Sequence, residues 1–359
     1  LWIMDPTDSD NAELILESPD GTSWSPAEFS ASGSKLLLSN YVSIADSRVY
    51  LLDLDSGESQ LLAGGTTTRS ANRPVAIDDA NDGFWFITDQ AGEFRSLAWQ
   101  ALDPAASPEF VTADIPWDVD DAVISHDRKR IAFKVNENGR SGVYLLDTAT
   151  RRYGRVDILP VGLAYSLTFS PDDHSLAMSI SMATSPSDVF VLELGEKPLE
   201  FRRLVRWTTS EVGGLDAAAF RSPELVHYPT FDSERDGPRM IPAWVYTPPG
   251  DGPFPVIISI HGGPEGQSRP GFSSTYPMWM NKLGAAVMRP NVRGSAGYGK
   301  SYLALDNGFR REDSVRDIGA LLDWIGTQPQ FDRDRIAAVS YTHLRAHETS
   351  RAISDSVCC

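Results

Sequence analysis

Val49-Tyr50-Leu51-Leu52-Asp53 recurs as Val143-Tyr144-Leu145-Leu146-Asp147 and, more loosely, as Val189-Phe190-Val191-Leu192-Glu193. Leu1 to Asp5 is a further copy and Ser96 to Gln100 a divergent one. The last positions of the five copies step along the chain by 48, 47, 47 and 46 residues. An even period of this length marks a repeat architecture, in which each unit buries its apolar faces against its neighbours. Within a repeat, an apolar segment runs into a Ser/Asp/Gly turn, such as Phe29-Ser30-Ala31-Ser32-Gly33 or Phe169-Ser170-Pro171-Asp172-Asp173. A short strand such as Ile131-Ala132-Phe133-Lys134-Val135 follows, then the Tyr-Leu-Leu-Asp strand, a turn such as Asp55-Ser56-Gly57, and a last short strand, Gln60-Leu61-Leu62. Several short strands punctuated by turn formers, with no 3.6-residue apolar period, predict four-stranded β-propeller blades. Four full repeats are present, preceded by the tail of another, over residues 1–220. Closed rings need about four to eight blades. The turn residues His126 and His174 read as solvated.

After Arg221-Ser222-Pro223 the period stops. Leu225 to Phe231 and Ile241 to Thr247 read as strands joined by a charged turn, Asp232 to Arg239. Pro255-Val256-Ile257-Ile258-Ser259-Ile260 is apolar on both faces, as suits a central strand of a largely parallel sheet covered by helices. A helix is predicted near Tyr276 to Leu283, then the strand Ala285 to Met288. A second helix, Ser314 to Thr327, carries an apolar stripe of Val315, Ile318, Leu321, Leu322 and Ile325, with Asp313 or Ser314 as its cap. Arg335 to Val339 starts another strand. Strands alternating with helices define an α/β domain over 221–339.

His261-Gly262-Gly263-Pro264 sits at the C-terminal end of the buried strand, the edge where open α/β sheets place their sites. Glycines there leave backbone N–H groups free to face a developing oxyanion; a plain Gly-rich turn with a satisfied histidine is the competing reading. Asn291-Val292-Arg293-Gly294-Ser295-Ala296-Gly297-Tyr298-Gly299 follows the next strand, and the second helix leads through Phe331-Asp332-Arg333-Asp334-Arg335-Ile336 into another. This order, after a propeller, resembles the prolyl oligopeptidase family, in particular its acylaminoacyl-peptidase and dipeptidyl-aminopeptidase-like branches, over about residues 1 to 339. The resemblance implies a partial β-propeller followed by the first part of an α/β-hydrolase domain. It also implies a serine-type peptidase that hydrolyses short peptides through an acyl-enzyme and a Ser-Asp-His triad, the propeller screening access. Gly263 matches the family position whose N–H contributes to the oxyanion hole. His261 is not the triad base, and Arg293 and Tyr298 hold the loop beside the site. No metal or organic cofactor is implied.

Where the family continues with Gly-x-Ser-x-Gly, this chain reads Ser340-Tyr341-Thr342-His343-Leu344, with Thr342 at the nucleophile position. The nucleophile elbow needs small neighbours, which Ser340 and Leu344 do not supply. The triad is therefore missing, and the chain as given is expected to be inactive. Residues 340–359 match no part of the family, resemble translated adapter sequence, and are expected to be a non-native or disordered tail. His343 and His347, spaced i, i+4, and the paired Cys358 and Cys359 fall in that tail and are given no metal or redox role. A non-catalytic propeller binding module with a degenerate hydrolase domain, or an esterase on the same scaffold, are the alternatives.

The partner that the resemblance implies is a short peptide substrate; the bulk properties bear only on other partners. Of the 359 residues 49 are acidic and 32 basic, giving a formal charge of −17 that repels phosphate backbones and anionic lipid, so nucleic-acid and membrane binding are not expected. No stretch approaches the roughly 18 uninterrupted apolar residues of a membrane helix. The opening Leu1-Trp2-Ile3-Met4-Asp5 reads as the middle of a strand without a signal-peptide pattern, which leaves the compartment open between cytoplasmic and periplasmic or secreted. Oligomeric state and cleavage preference stay open as well.

Overall fold

The structure, a computed structural model, describes residues 1–340 except 20, 66–68, 79, 81, 104, 216–219 and 264. Thr342, His343, His347, Cys358 and Cys359, and with them most of the expected tail, lie outside the described residues. A two-stranded ribbon, β1 (Trp2–Asp5) with β2 (Asp8–Leu14), comes first. Four antiparallel four-stranded sheets follow in chain order. They are β3 to β6 (Ser23–Phe29, Lys35–Ser43, Asp46–Asp53, Ser59–Ala63) and β7 to β10 (Asn72–Ile77, Gly83–Thr88, Ser96–Ala101, Glu109–Phe110). Next come β11 to β14 (Val119–Ile124, Arg130–Glu137, Arg140–Asp147, Tyr153–Arg155) and β15 to β18 (Leu163–Phe169, Ser175–Met182, Ser185–Leu194, Phe201–Arg206). These are propeller blades, and the recurring Tyr-Leu-Leu-Asp segment is the third strand of each, as β5, β13 and β17 show.

The alternation of a strand explains why blades stack. Every residue of β8, Gly-Phe-Trp-Phe-Ile-Thr, is buried. Phe84 and Phe86 point to the preceding blade, packing with Leu37, Val49, Leu51 and Leu62. Trp85 and Ile87 point the other way, to Val119, Ile131 and Phe133 of the next. Because side chains alternate faces, one six-residue strand supplies the core on both sides of its sheet. The first strands β3, β7, β11 and β15 line a central channel of about 670 Å³. Arg73 and Asp121 pair across it at 2.8 Å.

The second unit is one five-stranded sheet in the order β19-β20-β22-β21-β23, made of β19 (Glu224–Glu234), β20 (Gly237–Tyr246), β21 (Phe254–Ile260), β22 (Ala286–Pro290) and β23 (Phe331–Ser340). The sheet is more mixed than the sequence predicts. β21 is parallel to both its neighbours, but β20 runs antiparallel to β19 and to β22. For β19 and β20 the reason is the hairpin turn, which is confined to Arg235 and Asp236; a connection that short can only join antiparallel strands. Much of the expected charged turn, from Asp232 to Glu234 and from Gly237 to Arg239, is thus strand. Helices α1 (Thr275–Leu283) and α3 (Glu312–Thr327) cover opposite faces, and a four-residue α2 (Lys300–Leu303) lies between β22 and α3. On one face Ile258, Met288, Ile241 and Tyr228 meet Leu321 and Ile325 of α3. On the other, Trp244, Tyr246 and Val287 meet Met280 of α1.

Two readings of α3 are corrected. The helix begins at Glu312, with Arg311 as N-cap, so neither Asp313 nor Ser314 caps it. A 3-10 turn at Gly308–Arg310 feeds directly into the helix, and Ser314, now inside the first turn, donates instead to the Arg311 carbonyl at 2.8 Å. The buried face is also not purely apolar. Val315 is 37% exposed, whereas Asp317, one turn before Leu321, is fully buried. At the sheet edge Ser340 still pairs with Ile260, and Val339 is 40% exposed.

Candidate active site

β21 ends at Ile260, and the chain turns immediately through His261, Gly262 and Gly263. Gly263 has φ +120°, a conformation that side chains rarely adopt, and a Cβ there would stand 2.6 Å from the Glu265 amide nitrogen and 2.8 Å from that of Gly266. The chain therefore returns so close to Gly263 that the Glu265 and Gly266 nitrogens occupy the space a side chain would need, and only glycine fits. Gly263 itself is exposed. The exposed Gly263 thus stands at the C-terminal end of a central strand, the edge at which open α/β sheets place their sites.

The imidazole beside it is not a free base. His261 Nδ1 donates to the Gly262 carbonyl at 3.0 Å, and Nε2 lies 2.9 Å from Ser295 Oγ, whose single hydroxyl proton also faces the Val292 carbonyl at 2.6 Å. Burial holds the ring below its ordinary pKa of 6.5, against the bond to Gly262 and with help from the nearby Arg289 charge. Both nitrogens being occupied, His261 ties the 261–266 loop to the 291–299 loop. A second tie is the Ala296 amide donating to the Gly266 carbonyl at 3.0 Å.

The 291–299 loop is in turn fixed from within. Asn291, fully buried, accepts from the Ser268 amide at 2.6 Å and donates to Tyr298 Oη at 2.9 Å. Burial pushes the Tyr298 phenol up to about 12, so it stays neutral and able to hydrogen-bond. Arg293 grips Asp317 with Nε to Oδ2 at 2.9 Å and Nη2 to Oδ1 at 2.8 Å, and reaches Asp232 Oδ1 at 2.7 Å. Its guanidinium also stacks on the Phe231 ring at 4.3 Å. The expected holding role of Arg293 and Tyr298 has a physical basis here, but their partners Asp317 and Asn291, and His261's partner Ser295, were given no role by the sequence reading. Asp317 had a legible signal, since it falls at the spacing of Leu321 and Ile325 on the buried stripe.

The propeller faces this site. Arg269 donates to the Gly139 carbonyl and Asp120 Oδ2, both at 3.0 Å, and Asn136 donates to Gln267 Oε1 at 2.7 Å. A cavity of about 110 Å³ lies between the units, lined by Asp89, Glu93, Asp118, Glu265, Ala296 and Lys300 among others. His126 and His174 sit on turns at the other end of their blades, away from the sheet, and both are exposed. The His126 side chain is 60% exposed and meets Asp173 at 3.0 Å. Among the described residues no three His, Cys, Asp or Glu side chains gather to hold a metal, and no helix is long and apolar enough to cross a membrane.

Comparison with known proteins gives a consistent set of relatives. Residues 270–340 match the sequence profile of the Prolyl oligopeptidase family. An uncharacterized peptidase, YuxL, of Bacillus subtilis is 25% identical over 213 residues, 54% of this chain and 30% of that protein. The acylamino-acid-releasing enzyme of Rattus norvegicus is 25% identical over 230 residues, 61% of this chain and 30% of the enzyme. Among solved structures, a prolyl endopeptidase superposes with a TM-score of 0.77 at 17% identity, covering 93% of this chain and 48% of that one. A puromycin-hydrolyzing peptidase of Mycobacterium tuberculosis superposes with a TM-score of 0.74 at 16% identity, covering 92% and 51%. The chain thus spans about a third of these curated relatives and about half of the structural ones. The superpositions show the fold: propeller blades followed by the first part of an α/β-hydrolase sheet.

Proposed function

We infer, from a chain that belongs to the prolyl oligopeptidase family, that it is part of a serine-type peptidase that cleaves short peptides through an acyl-enzyme. Gly263 is the residue we assign to the reaction. Its backbone N–H donates to the oxygen of the scissile carbonyl as negative charge builds on it in the tetrahedral intermediate. The observation that carries this reading is the conformation of Gly263, at φ +120° and exposed at the end of β21, in a loop held by His261–Ser295 and Ala296–Gly266. A preorganised amide in a fixed loop needs no reorganisation as charge develops, which is where such a donor lowers the barrier.

The division of labour follows from the geometry. His261, with both nitrogens engaged, positions the loop and transfers no proton. The serine nucleophile, the acid and the base come from sequence that the described residues do not include, and residues 1–340 alone are inactive on this reading. The propeller channel and the 110 Å³ interdomain cavity limit entry to extended, short peptides. The second reading, a binding module with a degenerate hydrolase unit, is favoured by Ser340, which stands where the family has the first glycine of its nucleophile elbow.

Turnover of short peptide amides by the whole protein from the source locus tests the proposal. Cleavage accompanied by stoichiometric labelling of one serine by a fluorophosphonate supports it. Binding of peptides without labelling or cleavage favours the binding module.

A further inference from the structure

Helix α2 starts at Lys300 behind Gly299, and no side chain of its own caps it. The missing acceptor comes from the propeller. Glu93, in the turn between β8 and β9, accepts from the Ser301 amide through Oε1 and from the Ser301 hydroxyl through Oε2, the latter at 2.9 Å. Its backbone carbonyl accepts from the Lys300 amide at 3.0 Å, and Lys300 Nζ donates to the Asp89 carbonyl at 3.1 Å. Gly299 has φ +91°, and a Cβ there would lie 2.7 Å from Glu93 Cγ. Residues 299–301 are therefore shaped around one side chain of the other unit. The same stretch continues back into the loop whose Ala296 amide holds Gly266 and whose Ser295 hydroxyl meets His261.

We propose that Glu93 is a positioning residue for the Gly263 loop: by capping α2 from the propeller it sets the 294–301 segment, which in turn sets the backbone of residues 261–266. The functional meaning of this coupling rests on reading Gly263 as the oxyanion donor; the coupling itself does not. A simple surface contact between two domains would protect only the residues that touch. A positioning residue transmits its loss to a loop it never touches, because Ala296–Gly266 and Ser295–His261 are the intervening links.

Amide hydrogen exchange on the full chain tests this, and needs no turnover, so it stands or falls separately from the peptidase reading. Glu93→Ala is expected to speed exchange in 262–266 and 294–301 by about fivefold, the factor typical of a lost helix cap, with β20 and β22 unchanged. Glu93→Gln keeps one acceptor oxygen and is expected to restore most of the protection in both segments. Should Glu93→Ala fail to fold, Ser301→Ala, which removes only the hydroxyl contact, is expected to shift the same two segments to a smaller degree. A change confined to 93–95 and 299–302, or one spread evenly over the sheet, overturns the proposal.

Discussion

Arg293 and Asp317 form a two-pronged ion pair in the interior of the hydrolase unit, with side chains 3% and 0% exposed, and it joins the loop after β22 to the first turns of α3. The Arg293 amide also donates to Asp317 Oδ2 at 3.0 Å, and Thr230 donates to Oδ1 at 2.6 Å, so the buried carboxylate is fully used. A buried pair gives little net stability against an apolar replacement, but removing Asp317 leaves the buried Arg293 guanidinium with only Asp232 and orphans the Arg293 amide and Thr230 hydroxyl donors in a low-dielectric interior. Asp317→Ala is therefore expected to cost about 3–5 kcal/mol, read as a lower urea midpoint. Replacing both residues by Met and Leu is expected to cost less than Asp317→Ala alone. A single variant within experimental error of the parent would show that the pair is not what holds the loop.

Gly263→Ala introduces a Cβ that would meet backbone nitrogen at 2.6 Å and forces alanine to φ +120°. The loop must move, and the amide moves with it. In the whole protein kcat for peptide amides is expected to fall by about a hundredfold or more, the usual cost of losing one oxyanion donor, with KM little changed. The melting temperature is expected to shift by far less than for Asp317→Ala, because Gly263 is exposed.

His261 supplies a pH dependence whose sign is fixed. Its folded pKa lies below the ordinary 6.5, chiefly through burial. The unfolded chain then binds the proton first. The contribution of the neutral ring is fully present above pH 6.5 and is lost progressively as pH falls from there through the folded value. Denaturant titrations between pH 7.5 and 5 are expected to show that decline, and His261→Asn to flatten it. Imidazole ¹⁵N shifts in the parent are expected to stay neutral below pH 6.5; a ring already charged at pH 7 would refute the burial argument.

Arg269 bridges the units, with Gly139, Asp120 and Ser141 all within 3.3 Å on the propeller side. Arg269→Ala leaves the Asp120 charge without this partner. Calorimetry is expected to resolve two transitions in the variant where the parent shows one, and limited proteolysis to gain a site between residues 206 and 224.

The blades were legible because each repeats one local rule, an alternating strand closed by a Ser/Asp/Gly turn, and the rule needs no distant partner to be read. The His-Gly-Gly loop was legible for a similar reason, since glycines after an apolar strand announce close backbone approach. What lay beyond the sequence depends on pairs far apart in it. Asp317 on an apolar stripe makes sense only once Arg293 is beside it, and Glu93 becomes a cap only when a blade turn meets α2. The start of α3 was misplaced because Ser314, a good cap by type, lies within a helix that a preceding 3-10 turn had already begun. Gly299 gave a sign without its reason: its freedom is needed for a propeller carboxylate 208 residues away from Ser301 in sequence.

Sequencing the source locus across the codon for Val339 tests the central claim most directly. The peptidase account predicts that Gly-x-Ser-x-Gly follows Val339 in frame, with an aspartate and a histidine further on to complete the triad. A reading frame in which Ser340 to Cys359 is genomic and ends the protein would contradict it, and the binding-module reading would take its place.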